Sequence, residues 1–306
     1  MGDDNVVSRL GSLKALLGIV AGAGASYGVY KLVFSRAGDV NTKKSAKNLI
    51  VHLEPRHLSM LLSLLQSSPN PEERRNVLVT LGNAAAFTVN QDLLREFGGL
   101  HIIAGFLSDP SPEIRVQTLN ALNNLSMNIC NQEQLKIYVP SVMQMIETSP
   151  VNSDLQLAAL RLLTNLSVTD NHQHLMKNSI TLLLSLLIVS NDIQVLKVLV
   201  NLSSNPDLMD DIVQAQVNKH VFYGLSSLIL LFDGCTSTSV LLRLLFFVGN
   251  LHAWRPSAQV AEALRRRQDS LYCVLLDSSS QLHCKLPLLL SHPDEEVKMQ
   301  VARLLT

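Results

Sequence analysis

The chain has 306 residues, 25 basic against 25 acidic, with charged residues at 16%, aromatics at 5% and hydrophobic residues at 47%. That balance excludes a disordered chain, which needs low hydrophobicity and high net charge, and 14 Gly with 11 Pro exclude a collagen-like one. No overall basic excess marks a protein that coats nucleic acid, and four cysteines, at 130, 235, 273 and 284, form no disulfide framework and read as reduced thiols.

In chain order, the first feature is an asymmetry of charge. Residues 1–47 carry seven basic and three acidic groups, a net of +4, which leaves −4 for residues 48–306. The basic end brackets an uncharged run from Ala15 to Tyr30. At 1.5 Å per residue this run makes roughly 24 Å of helix, short of the about 30 Å of a bilayer core. Lys14 and Lys31, snorkelling from either end, extend the span to about Leu10–Phe34. Tyr27, Tyr30 and Phe34 stand where an interfacial aromatic belt belongs.

Three rival readings of this run are weaker. Secretion would expose unpaired thiols, and a matrix presequence avoids the acids that open this chain at Asp3 and Asp4. A buried core helix is the bland alternative that the marginal length permits. Residues 1–36 are read as a single-pass signal anchor with its helix at about 10–34, and 37–52 as a short basic linker. Lys31, Arg36, Lys43, Lys44 and Lys47 should hold the C-terminal flank, and with it the rest of the chain, in the cytosol. Gly18-x-x-x-Gly22 and Gly24-x-x-x-Gly28 are small-residue spacings that would allow weak self-association of two such helices.

Residues 53–306 repeat themselves. Five segments end in nearly one phrase: LGNAA at 81–85, LNNLS at 122–126, LTNLS at 163–167, LVNLS at 199–203 and VGNLH at 248–252. Their asparagines, Asn83, Asn124, Asn165, Asn201 and Asn250, are separated by 41, 41, 36 and 49 residues. A helix-period apolar pattern precedes each phrase. Pro71 and Pro112 sit in the first turn of their helices, where proline is tolerated. Acidic Glu72, Glu73, Glu113 and Asp154 follow, as the helix dipole favours. Shorter apolar helices are expected at 57–66, 101–107 and 180–189, and Gly98-Gly99 breaks the chain between repeats. The stretch from His292 begins a sixth copy. A period near 42 with two or three helices per unit indicates an all-α, armadillo-like α-solenoid of about six repeats rather than shorter-period arrays.

Two roles fit the asparagine column: hydrogen bonding to backbone left open at the helix end, or, as the resemblance to armadillo repeats implies, holding the backbone of an extended peptide. Four and seven residues upstream lie on the same helix face. Those positions read Asn76, Gln117, Ala158, Gln194, Arg243 and Val79, Asn120, Arg161, Lys197, Phe246, a mostly polar set expected to be wet. The candidate peptide-binding residues are the five asparagines with Asn120, Arg161, Lys197 and Arg243. The three cations would favour a partner segment carrying carboxylates. Asn-x-Ser at 124–126, 165–167 and 201–203 falls inside these helices and is discounted as a glycosylation signal.

Motifs for chemistry are missing. There is no Gly-rich phosphate loop, HExxH, GxSxG or Cys-x-x-Cys, so neither catalysis nor a cofactor is expected. Cys273, His283, Cys284 and His292 match no zinc spacing. His172 and His174, about Gln173, read as capping or surface residues, and Arg265-Arg266-Arg267 as a solvated run with docking or import as the sharper alternative.

The phrases LGNAAAFTVNQDLLREFGGL, LNALNNLSMN and LLTNLSVTDNHQH, behind an N-terminal anchor, resemble the armadillo-repeat-containing proteins of the X-linked (Armcx) group and their autosomal relatives. The resemblance implies an anchor in the mitochondrial outer membrane, or alternatively the endoplasmic reticulum, with a cytosolic armadillo domain. It also implies an adaptor in mitochondrial distribution, trafficking and dynamics and in organelle-linked cell survival, with Miro/Trak-type transport machinery as partners. The linker at 37–52 is shorter than many relatives carry. The alternative is a soluble armadillo cargo receptor or transcription-linked scaffold, although cargo grooves pair tryptophans with the asparagines and this chain has only Trp254.

Overall fold

The computed structural model describes residues 54–190, 192–215, 225–233, 237–254, 256, 258–266 and 270–305. Among them the ordered elements are all helices, grouped in two compact units that divide between Tyr138 and Val139. No helix among the described residues is long and apolar enough to cross a membrane. The anchor expected at 1–36, with Lys14, Gly18, Gly22, Gly24, Gly28 and Lys31, and the linker at 37–52 lie outside the described residues.

The first unit comprises α1 (Pro55–Ser67), α2 (Pro71–Ala84), α3 (Thr88–Glu96), α4 (Gly99–Ala104), α5 (Pro112–Leu125) and α6 (Ile129–Leu135). The start of each long helix follows from its sequence. Asn70 caps α2 by accepting from the Glu72 amide at 2.9 Å, and Ser111 caps α5 by accepting from Ile114 at 3.4 Å. Pro71 and Pro112 occupy the first helical turn, where no amide donor is missed. The glutamates behind them lie in the positive end of the dipole. α2 packs along α5 with the backbones close, since a Cβ on Gly82 would lie 3.4 Å from Ala121 Cα. The core between them is aliphatic: Val77, Leu78, Leu81, Leu119 and Leu122 are wholly buried.

The short apolar helices form where expected. α1 covers 57–66, and α4, prolonged by a 3-10 turn at Gly105–Ser108, covers 101–107. Gly98 takes φ +67° at the end of α3, the left-handed geometry of a helix C-terminus. Gly99 plays a different part, starting α4 in a space with no room for a side chain.

The second unit runs through α7 (Val139–Thr148), α8 (Asp154–Leu166), α9 (Asp170–Gln173), α10 (Ile180–Ser190), α11 (Ile193–Ser203) and α12 (Met209–Gln214). It continues with α13 (Thr238–Ala253), α14 (Ala258–Arg265), α15 (Gln281–Leu289) and α16 (Glu295–Leu305). A 3-10 turn at Leu225–Phe232 precedes α13, and a π-turn at Tyr272–Leu276 precedes α15. Ser153 and Asp192 cap α8 and α11 through Gln156 and Gln194. The long helices α8, α11, α13 and α16 pack in that order, so α16 takes the place of the sixth copy.

Candidate functional site

Each repeat asparagine sits in the last turn of a long helix, half-buried. Asn124 donates from Nδ2 to the Gly82 carbonyl of α2 at 2.9 Å. Asn201 donates to Thr164 O at 3.3 Å and Ser167 Oγ at 2.9 Å, and Asn250 to Val200 O at 3.4 Å and Ser203 Oγ at 3.0 Å. The carboxamide amino groups therefore aim at the end of the preceding long helix and set the register of the stack. In Asn201 and Asn250 the Nδ2 group thus has two acceptors in reach, one for each of its hydrogens. Asn165 is engaged as well. Asn83 and Asn120 have no side-chain partner among the described residues.

A second polar column recurs within each unit, and it holds residues the repeat phrase does not contain. Seven and eight positions after the asparagine stand Asn90-Gln91, Asn131-Gln132 and His172-Gln173, all buried. Gln91, Gln132 and Gln173 each donate at 2.8 Å to the carbonyl that ends their own long helix, Ala85, Ser126 and Ser167. Gln91 and Gln173 also reach the backbone of the next asparagine, Asn124 at 3.0 Å and Asn201 at 3.2 Å. Asn90 and Asn131 cover the neighbouring carbonyls of Ala84 and Leu125 at 2.9 and 3.0 Å. These amides satisfy helix-end acceptors that burial would otherwise leave unpaired. The 41-residue spacing of 90, 131 and 172 is the signal that reveals them. The expected capping or surface role for both histidines is corrected in part: His174 is exposed, but His172 is wholly buried in this column. After Asn201 the column lapses, with apolar Leu208 and Met209 in its place.

The face four and seven residues before the asparagines is open to solvent. Asn76 and Arg161 are exposed, and Val79, Gln117, Asn120, Gln194, Lys197, Arg243 and Phe246 are half-buried. Ala158 departs from the expectation of a wet row, being buried at 1% exposure against its helix neighbours. Lys197 approaches Gln194 Oε1 at 3.4 Å and Arg243 donates to its own helix at Ser239 O, 2.9 Å away.

In the Arg265-Arg266-Arg267 run the two described arginines are exposed, and each also has a carboxylate beside it. Arg265 donates from Nε to Asp277 Oδ2 at 2.8 Å, and Arg266 lies 3.6 Å from Glu262. Arg267 lies outside the described residues. Asp277 also accepts from the Ser279 hydroxyl at 2.6 Å and the Ser279 amide at 2.9 Å. The Ser279 hydroxyl, then Arg265, hold its carboxyl down at about 2, from 3.8. A depressed carboxylate stabilises the fold above its unfolded value, and that contribution fades as pH falls through 3.8 towards 2. Urea unfolding from pH 5 to pH 2 should show about 2 kcal/mol of acid destabilisation that Asp277→Asn removes. An unchanged pH dependence in that variant would deny the carboxylate this role.

A family model described as Armadillo-like matches residues 53–276. The fold superposes on a designed armadillo repeat protein with a TM-score of 0.64, at 17% identity over 81% of this chain and 98% of that one. A designed armadillo repeat protein in complex with peptide (KR)4 gives the same score, identity and coverage. A structure concerning the phosphorylation switch that controls the interaction between cadherin and beta-catenin gives 0.65 at 15% identity, over 100% of this chain and 50% of that one. The stacked long helices, the asparagine ladder and the family match over most of the sequence agree, and the chain belongs to the armadillo-like family.

Proposed function

We propose that the chain is a non-enzymatic adaptor that captures protein partners on the asparagine face of its long helices. The observation that carries this role is the open polar face: of the ten positions four and seven residues before the asparagines, only Ala158 is buried. Polar side chains are ordinarily exposed; what marks this row is that they recur at two fixed positions on the long helices, where a partner can reach them. The designed protein in complex with peptide (KR)4 supports the choice of a peptide segment as the captured form.

The adaptor is held to a membrane by residues 1–36 with the repeats in the cytosol. The apolar run between Lys14 and Lys31 and the +4 charge of its surroundings support this placement. The resemblance to the Armcx group favours the mitochondrial outer membrane over the endoplasmic reticulum, with a role in mitochondrial distribution and dynamics through Miro/Trak-type partners. Carbonate extraction of the full chain and of a form lacking residues 1–36 tests the anchor. The full chain should stay in the pellet and the shortened form should be released. Release of both would favour the soluble cargo receptor or transcription-linked scaffold. Proximity labelling from the full chain then reports the organelle and its partners.

A further inference from the structure

The second unit presents three cations in one row, on helices that are neighbours in the stack. Arg161 is on α8, Lys197 on α11 and Arg243 on α13. The asparagine bonds fix their register, because Asn201 grips residues 164 and 167 of α8 while Asn250 grips residues 200 and 203 of α11. Arg161 and Lys197 therefore stand at equivalent places, and Arg243 stands one turn nearer the start of its helix. Thr164 Oγ1 and Gln194 Oε1, 3.4 Å apart, close the surface between α8 and α11.

The row differs from the other charges of its unit. Lys177, Arg265, Arg266, Lys285 and Lys298 each lie within ion-pair distance of a carboxylate. Among the described residues, Arg161 has no partner, Lys197 has only the neutral Gln194, and Arg243 has only a backbone carbonyl of its own helix. A cation gains from a carboxylate when one is supplied, and those five of the same unit have one. Three like charges along one face also repel one another until a counter-charge arrives.

We infer that this row docks an extended segment of a partner protein whose Asp or Glu side chains alternate with other residues. This partner chemistry rests on the protein-binding role proposed above. Packed helices lie about 8–10 Å apart and an extended chain advances about 3.3 Å per residue. Three helices span two such spacings, about 16–20 Å, and thus meet about six or seven residues, of which every second side chain faces the row. The flexible stems of arginine and lysine take up the remaining mismatch. Carboxylates fit better than phosphates, because each helix offers one cation whereas phosphate recognition gathers several arginines on one group. The charge is opposite to that suited to a (KR)4 segment, so the likeness to the designed protein that holds one stops at the fold.

The test uses the full chain in an uncharged detergent and labelled peptides of about nine residues: alternating Glu-Ser, alternating Lys-Ser, and a phosphoserine peptide of equal charge. Fluorescence anisotropy should rise for the Glu-Ser peptide and not for the Lys-Ser peptide, and about 0.5 M salt should weaken the complex. Arg161→Glu with Lys197→Glu should lower its affinity at least about tenfold with an unchanged melting temperature. Arg161→Gln with Lys197→Gln gives a milder loss of the same sign and answers the question if charge reversal disturbs folding. Undiminished binding by the variants overturns this location. Preference for the Lys-Ser or the phosphoserine peptide overturns the carboxylate chemistry but leaves the protein-binding role standing. If no peptide binds, the peptide-binding role falls with it.

Discussion

Replacing Gln91 by leucine is expected to cost about 2–3 kcal/mol of stability, far more than a half-polar surface change would. Gln91 is 5% exposed, and its amino group is shared by the Ala85 carbonyl that ends α2 and the Asn124 carbonyl that ends α5. Leucine fills the volume but donates to neither. The Asn124 carbonyl keeps backbone donors at Ser126 and Met127, whereas Gln91 is the donor recorded for Ala85 besides its own helix. One buried acceptor is therefore abandoned and a second weakened, each at about 1–3 kcal/mol when fully unpaired. The loss also falls on a link between consecutive copies, and solenoid stability is a sum of copies and their interfaces. Denaturant midpoints measure it, with Gln134→Leu, on the exposed side of α6, as a control that shifts by no more than about 0.5 kcal/mol. A Gln91→Leu midpoint equal to that control would show that water replaces the missing donor.

Gly99→Ala should destabilise by about 2 kcal/mol through collision rather than through backbone conformation. The added Cβ would meet the Leu94 carbonyl oxygen at 2.8 Å and the two Leu62 methyls at 3.1 and 3.2 Å. Leu62 belongs to α1 and Leu94 to α3, both in the core, so relief requires one helix to move. Gly98→Ala makes the contrasting case: its φ is +67° with nothing within 4 Å, so it bears only the left-handed penalty of about 1 kcal/mol. Gly105→Ala, in open space with an ordinary φ, should be neutral or slightly stabilising. Thermal denaturation should rank the three variants 99, 98, 105 from worst to best. A Gly98 variant worse than Gly99 would reverse the roles assigned to the pair.

The repeat architecture was readable because a solenoid writes its structure at one period. Apolar positions three and four apart, proline and acids at the first turn, and a recurring asparagine located α2, α5, α8, α11 and α13 from residues alone. The same reading missed Asn90-Gln91 and its two copies, although they share the 41-residue spacing. A polar pair outside the matched phrase reads as surface, since asparagine and glutamine are mostly exposed. Their burial follows from the corner between copies, where helix-end carbonyls face inward and need donors. His172 was misplaced for the same reason.

Charge carried less information in the sequence than in space. Arg265 and Arg266 are exposed, as a basic run is expected to be, but Asp277 and Glu262 lie beside them. Arg161, Lys197 and Arg243 looked similar, yet they meet no carboxylate among the described residues. Sequence separations of 36 and 46 residues bring these three to one row, and nothing local distinguishes them from paired cations.

The residues alone thus place the long helices, three of the short ones and the repeat, because caps, proline and apolar period act within one helix. It also carries the N-terminal run on which the membrane proposal rests. Which way each carboxamide points, which polar side chains are buried and which cations find a counter-charge emerge only on packing. Those depend on atoms from different copies meeting, and a hydrogen bond or ion pair is decided by distances of a few tenths of an ångström that no local pattern encodes.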